Sequence, residues 1–468
     1  MRARCVAIWI YLAAIGCGSP SHPGQADAPL ASQDALTIPV ADGPKPACTD
    51  PLVGALVDGA VFEESNGFET EGSVPLVAMD EQGNGLVAWT LSSGMSTRAL
   101  ARRYTAGVGW SDIELVLQDG YPTSVALRNG VALVAVVGPT VLDAGGGSST
   151  AGIYGARFVA GGWSIQSVGV SSTGWWQEPY ASPPVAVLGQ NAALVTWIDA
   201  NSGYVAASVF DTSWQPAQLF GSAALNPIAA MLPSGTFAVA YAQEPGGTPP
   251  ATGLLVSAWG ATAGWEPAVT VSEHASDPVL AASMGGPLHA LWGGPDGFMH
   301  AERLPGGTWS AGETVVPSDK AHYQGNQRLA ADRAGNALVA WTISSPTSTP
   351  GLMCASAAAA RYYLEGVGWQ GITPIDQGQS DRSYGLVDLA MAPDGDAWAL
   401  WQGGPCDESS QEIWARPFHP ASGWGEPMQL TGTDGCIVRD GTVAMGGNRT
   451  LAAWSQPGTN GIVVRWLE

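Results

Sequence analysis

The chain has 468 residues, 12% of them charged and 46% hydrophobic, with 62 glycines and 34 prolines against 18 lysines and arginines. So turn-rich a composition suits an all-β protein and argues against a helix-rich chain, which would carry more Lys, Glu and Leu. A formal charge of −22 repels phosphate backbones, and no basic cluster offsets it, so nucleic acid is excluded as a partner.

The chain opens on Arg2 and Arg4, followed by an apolar stretch from Val6 to Ile15 that is too short to span a bilayer. It ends in "AAIGC", at Gly16 and Cys17. This resembles a bacterial lipobox, although Ala14 stands where that pattern prefers Leu. The resemblance implies a signal peptide over 1–16 and lipidation at Cys17, with three acyl chains giving stable anchoring. The alternative is an ordinary secretory signal with a chance cysteine. Removal of 1–16 takes away Arg2 and Arg4 and moves the charge from −22 to −24. Residues 17–50 read as an extended tether, with six prolines and no aromatic residue between Gly18 and Pro46. The expected location is a bacterial cell envelope, lipid-anchored at the outer membrane or cell surface.

From residue 51 to 468 the chain reads as one repetitive domain. The stretch "PLVAMDEQGNGLVAWTLSS" from Pro75 returns as "RLAADRAGNALVAWTISS" from Arg328. Aligned on the closing aromatic, eight copies read Trp89, Val136, Trp197, Tyr241, Trp292, Trp341, Trp401 and Trp454. The mean spacing is about 52 residues, in the range of solenoids and propellers. Ten or eleven residues earlier each copy has alanine: Ala78, Ala126, Ala186, Ala230, Ala281, Ala330, Ala390 and Ala444. Between the columns lie Gly with Asn or Asp, the residues of tight turns. Each repeat therefore opens with a hairpin of strands A and B.

A third strand, C, carries Arg102, Arg157, Ser208, Ser257, Arg303, Arg361, Arg416 and Arg465. A fourth, D, starts at Trp110, Trp163, Trp214, Trp265, Trp309, Trp369 and Trp424. Four antiparallel strands per repeat predict a β-propeller of eight four-stranded blades, or seven if the degenerate second repeat forms none. The last repeat stops after strand C, while Leu52–Glu63 precedes the first strand A. The N-terminal segment is expected to close the ring as the missing strand.

Four cysteines remain beyond Cys17 and the leader's Cys5, and no CxxC spacing or nearby histidine favours a metal. Cys354 and Cys406 fall between strands B and C of neighbouring repeats, while Cys48 and Cys436 flank the closing blade. The expected disulfides are Cys354–Cys406 and Cys48–Cys436. Non-reducing peptide mapping that joined Cys48 to Cys354 would overturn them.

The phrases "DRAGNALVAW" and "ARYYLEGVGW" resemble a repeat of uncharacterised bacterial secreted and lipoprotein-type proteins, and more loosely NHL-type and BNR-type propeller repeats. The likeness runs from Pro75 to Trp466 and implies architecture, not chemistry. The sialidase Asp-box is not found.

The recurring arginines and tryptophans read first as packing, with each arginine stacked on a strand B indole or paired with a surface carboxylate. The two indole columns hold 13 of 20 tryptophans, which is what seam filling requires. Departures from the repeat are the better site candidates. Trp175, Trp176, Glu178 and Tyr180 stand outside every column and form a candidate glycan platform, or else a cover over the second repeat. The histidines share no motif, and no GxSxG, HExxH or P-loop occurs. The sequence assigns no catalytic residue, metal ligand or cofactor. The reading is a surface lipoprotein whose propeller binds a glycan or protein without catalysis. The alternatives are a carbohydrate-active enzyme of glycosidase or lyase type, with its site in the central funnel, and a structural envelope component.

Overall fold

The computed structural model describes residues 60–63, 74–93, 96–142, 149–172, 183–221, 224–232, 234–243, 253–282, 286–304, 307–318, 323–344, 356–376, 382–405, 411–431, 439–456 and 461–467. Every described element is a β-strand, and the strands form eight separate antiparallel sheets. Seven sheets each take one repeat in the order A, B, C, D, and the eighth takes strands A, B and C of the last repeat. In blades 1, 4 and 7 strand D is in two pieces, both paired with strand C.

The innermost strands are Leu76–Met79, Tyr121–Arg128, Val185–Leu188, Ala224–Met231, Ser276–Ala282, Tyr323–Ala331, Arg382–Met391 and Arg439–Gly446. Each touches the next, and the last touches the first, so the sheets close into a ring. The fold is an eight-bladed β-propeller, and the degenerate second repeat forms a full blade. Ring closure is as expected for Ala60–Glu63, which pairs antiparallel with Gly461–Leu467 of blade 8, Ala60 opposite Val464 and Glu63 opposite Gly461. Residues 52–59 of the expected closing segment lie outside the described residues.

All eight alanines of the first column sit on strand A, where the blades crowd the axis. The core is divided into eight clusters, each spanning a seam between neighbouring blades. The strand B aromatic of one blade fills the gap to the blade before it. Trp401 of blade 7 packs against Leu338, Ala340 and Ile375 of blade 6, and Trp454 of blade 8 against Leu400 and Ile413 of blade 7. The sheets twist apart outward, so only a large flat ring spans the widening gap.

Blade 2 solves the same problem differently. Val136 stands in the indole column, and its partner across the hairpin is Tyr154 of strand C. The Tyr154 ring packs into the seam with blade 1. It lies over Gly138 and Gly152, where any Cβ would collide with it.

The "DxxGN" turns carry a second device. Asp332 accepts hydrogen bonds from the Asn336 backbone N–H at 2.8 Å and from its side-chain amide at 2.6 Å. Gly335 between them takes φ of +92°, a conformation that side chains other than Gly rarely adopt. Asn336 Oδ1 in turn accepts from the Glu365 N–H at 2.9 Å, which ties the A–B turn to the C–D hairpin. Asp80 and Asn84 repeat the arrangement in blade 1, with Asn84 Oδ1 accepting from the Ala106 N–H at 3.0 Å.

Candidate functional site

The ring encloses an open axial funnel at the end where strands A run into their turns. Residues of all eight blades line a cavity of about 520 Å³. Residues directly after the alanine column supply its character: Met79, Met231, Met391 and Met445 each follow a column alanine and line the wall. Blade 2 adds Arg128, whose guanidinium contacts the Met231 sulfur. Thioethers are flexible and polarisable, so such a lining adapts to varied apolar groups.

The funnel's carboxylates are committed. Asp80 accepts from the Gln82, Asn84 and Gly130 backbone N–H groups and from the Asn84 amide, all at 2.8 to 3.0 Å. Glu81 pairs with Arg333 of blade 6 at 3.3 Å, joining the turns of non-adjacent blades. Both partners are about half exposed, so this pair contributes little stability. A glycosidase needs two carboxyls facing each other across the scissile bond. Asp80 and Glu81 are sequence neighbours with other partners.

The opposite end of strand A differs. Asn226, Asp277 and Asn326 occupy equivalent bulges in blades 4, 5 and 6, with φ of +52°, +46° and +51°. Asn and Asp tolerate this conformation. The Asn226 amide donates to Asp277 at 3.0 Å, and the Gln327 amide donates to the Asp277 carbonyl at 2.6 Å. These bonds stitch neighbouring blades.

A third group lies in the seam between blades 5 and 6. His289 sits on strand B of blade 5 (Leu288–Gly294), and His300 and Glu302 sit on strand C (Gly297–Arg303). Antiparallel register sets Glu302 directly opposite His289, and the two-residue alternation sends His300 to the same face. His289 Nδ1 and His300 Nε2 are 3.0 Å apart. His289 Nδ1 and Glu302 Oε1 are 3.7 Å apart. His300 Nδ1 meets Glu313 Oε1 at 3.1 Å, and the Trp369 indole of blade 6 donates to that oxygen at 2.9 Å. Both imidazoles are fully buried. Burial pushes His289 down to about 3, assisted by His300, and pushes His300 down to about 4. Both rings are therefore neutral at physiological pH. Burial raises the Glu302 carboxyl, an effect opposed by its hydrogen bond from Tyr363. The sequence reading missed this group because its members share no motif. The available signal was that His289 and Glu302 stand at equal distance from the Gly294–Gly297 turn, with His300 two residues from Glu302.

The strand C arginines do not form an anion-binding cluster. In blades 1, 3, 4, 6 and 7 the column residue donates to the carbonyl of the residue after the strand D tryptophan. Arg361 and Arg416 do so through Nε at 2.6 Å, and Ser208 and Ser257 through Oγ at 2.6 and 2.7 Å. Arg361 and Arg416 also reach carbonyls of the preceding blade, at Val315 and at Pro374 and Ile375. The packing reading of this column holds, with backbone carbonyls in place of the expected indoles and surface carboxylates. Arg157 instead stacks on Phe210 of the next blade, and Arg303 pairs with Glu266 of the previous one. The strand D tryptophans pack against strand C aromatics, as Tyr104–Trp110, Phe158–Trp163 and Phe418–Trp424 show, with centroids 5.2 to 5.4 Å apart. Trp175, Trp176, Glu178 and Tyr180 lie outside the described residues, as do Cys17, Cys48, Cys354, Cys406 and Cys436.

No protein-family model matches the chain, and no curated protein matches it. Among solved structures, an ulvan lyase of a polysaccharide lyase family is similar at 10% identity over 73% of this chain and 90% of its own, with a TM-score of 0.48. Sqt1 from Chaetomium thermophilum is similar at 11% identity over 86% and 98%, with a TM-score of 0.48. The fucose-specific lectin from Aleuria aurantia is similar at 13% identity over 66% and 95%, with a TM-score of 0.37. Likenesses this distant carry no argument about activity, and the propeller assignment rests on the chain's own eight sheets.

Proposed function

We propose that the chain is a lipid-anchored protein of a bacterial envelope whose propeller is a non-enzymatic binding module for a protein or glycan ligand. The observation that carries the binding reading is the axial funnel of about 520 Å³, built by all eight blades and lined by four methionines and Arg128. A cavity of this size is in the range of ordinary ligand sites. Its wall mixes flexible methionines with polar groups and Arg128, which suits an inserted side chain better than bond-breaking, because Asp80 is tied into its turn. The glycan arm of the reading rests on Trp175, Trp176, Glu178 and Tyr180 of the insert. The anchoring arm rests on residues 1–17 and the tether that follows. A structural envelope component is the reading left if no ligand exists.

Two sets of variants test the funnel and the anchor. Ligands are sought on a glycan array and among envelope proteins, and their affinities are measured against the double variant Met391→Trp with Met445→Trp, which fills the funnel. The expected result is binding at least ~10-fold weaker, a loss of about 1.4 kcal/mol, with an unchanged melting temperature. A folded, filled variant that binds as tightly as the wild type removes the funnel from the mechanism. In cells, Cys17→Ser is expected to move the protein from the membrane to the soluble fraction and abolish labelling by radioactive palmitate. Retention and labelling of that variant would sink the anchor.

A further inference from the structure

We propose that His289, His300 and Glu302, in the seam between blades 5 and 6, bind one divalent metal ion of the zinc class. The donor atoms of the three side chains lie within 4.8 Å of one another, and all three residues are buried or nearly so. In tetrahedral zinc, bonds of 2.0–2.1 Å put neighbouring donors roughly 3.3 Å apart. The observed separations of 3.0 Å between the imidazoles and 3.7 Å from His289 to Glu302 bracket that value.

Packing alone does not account for the group. Glu302 Oε1 and His289 Nε2 are buried and have no hydrogen-bond partner among the described residues. A buried carboxylate oxygen that faces two imidazoles and has no hydrogen-bond donor is a costly arrangement unless a cation compensates it. A dication between the three donors supplies that charge. His300 donates Nδ1–H to Glu313, which leaves its Nε2 lone pair directed at the site. His289 can coordinate through Nδ1 when its proton sits on Nε2.

The surroundings match an outer shell. Carboxylates that hold the far nitrogen of a ligating histidine recur around bound zinc. Glu313 takes that place against His300, and Trp369 of blade 6 fixes Glu313. Tyr363 of blade 6 donates to Glu302. Two nitrogens and a carboxylate favour zinc over calcium or magnesium, which take all-oxygen sites. None of these residues lines the funnel, so the seam site and the ligand reading stand or fall separately.

The test uses the purified full chain, equilibrated with micromolar zinc chloride, desalted and assayed for metal. The expected result is about one zinc retained per chain, and a cobalt-loaded sample with the visible absorption of tetrahedral Co²⁺. Glu302→Gln, which keeps the shape of the side chain, and His300→Phe are expected to lower zinc affinity at least ~10-fold. The double variant His274→Ala with His419→Ala removes exposed histidines and is expected to retain zinc fully. Circular dichroism confirms folding, and Glu302→Gln serves if His300→Phe does not fold. A wild type that retains no zinc, a folded Glu302→Gln protein that binds as tightly as the wild type, or loss of binding on removing His274 and His419 each overturns the proposal.

Discussion

Replacement of Trp341 by alanine is expected to remove about 3–5 kcal/mol of folding free energy, read as a lower urea midpoint. Trp341 is fully buried. It stands on strand B of blade 6 and packs against Leu291, Phe298, Val315 and Val316 of blade 5, with Phe298 edge-on at 6.3 Å between centroids. Truncation opens a cavity between two sheets that are each held rigid by their own hydrogen bonds, so the seam cannot close around it. Trp341→Phe separates the two contributions. It keeps an aromatic ring in the seam and removes an indole N–H that is buried without an acceptor among the described residues. Its cost is expected to be less than half that of alanine. A loss below about 1 kcal/mol for Trp341→Ala would mean that the indole is not what holds blades 5 and 6 together.

Deletion through Glu63 is expected to break the ring. Ala60–Glu63 is the strand that covers the outer edge of Gly461–Leu467, and it joins the two ends of the chain in one sheet. Without it that edge presents unpaired N–H and C=O groups, and edges of this kind recruit other chains. The covering strand also ties together segments about 400 residues apart. The entropy of closing so long a loop grows only logarithmically with length, so a short strand suffices. The expected result is a lower unfolding midpoint together with dimers or larger species in size-exclusion chromatography. A synthetic peptide of residues 52–63 is expected to reverse both. A truncated chain that stays monomeric with its midpoint unchanged would show that blade 8 closes by other means.

The elements differ in how far their sequence betrayed them, for identifiable reasons. Ala78 to Ala444 and Trp89 to Trp454 were legible because each blade meets the same neighbours and so meets the same packing demand. Tyr154 was not read as the substitute for the missing indole of blade 2, because a strand C ring lies outside the column where the eye searches. The strand C arginines were read as packing, and Arg303 does pair with the surface carboxylate Glu266, but others found different partners. Arg361 and Arg416 bind main-chain carbonyls, and a carbonyl carries no residue identity for a sequence to display. His289 and His300 were passed over as unrelated. Only hairpin register makes neighbours of residues eleven apart, and only the seam brings Tyr363 and Trp369 to them.

The sequence by itself determined the four-stranded repeat and the return of the N-terminal segment, since these follow from local periodicity and from which strand the last repeat lacks, while the choice of eight blades over seven waited on the full second sheet. Only the tertiary structure decided the funnel and the seam cluster. The funnel is made of residues that all eight blades contribute, and the seam cluster forms where one hairpin of blade 5 is covered by Tyr363 and Trp369 of blade 6, so both depend on how the sheets stack around the axis.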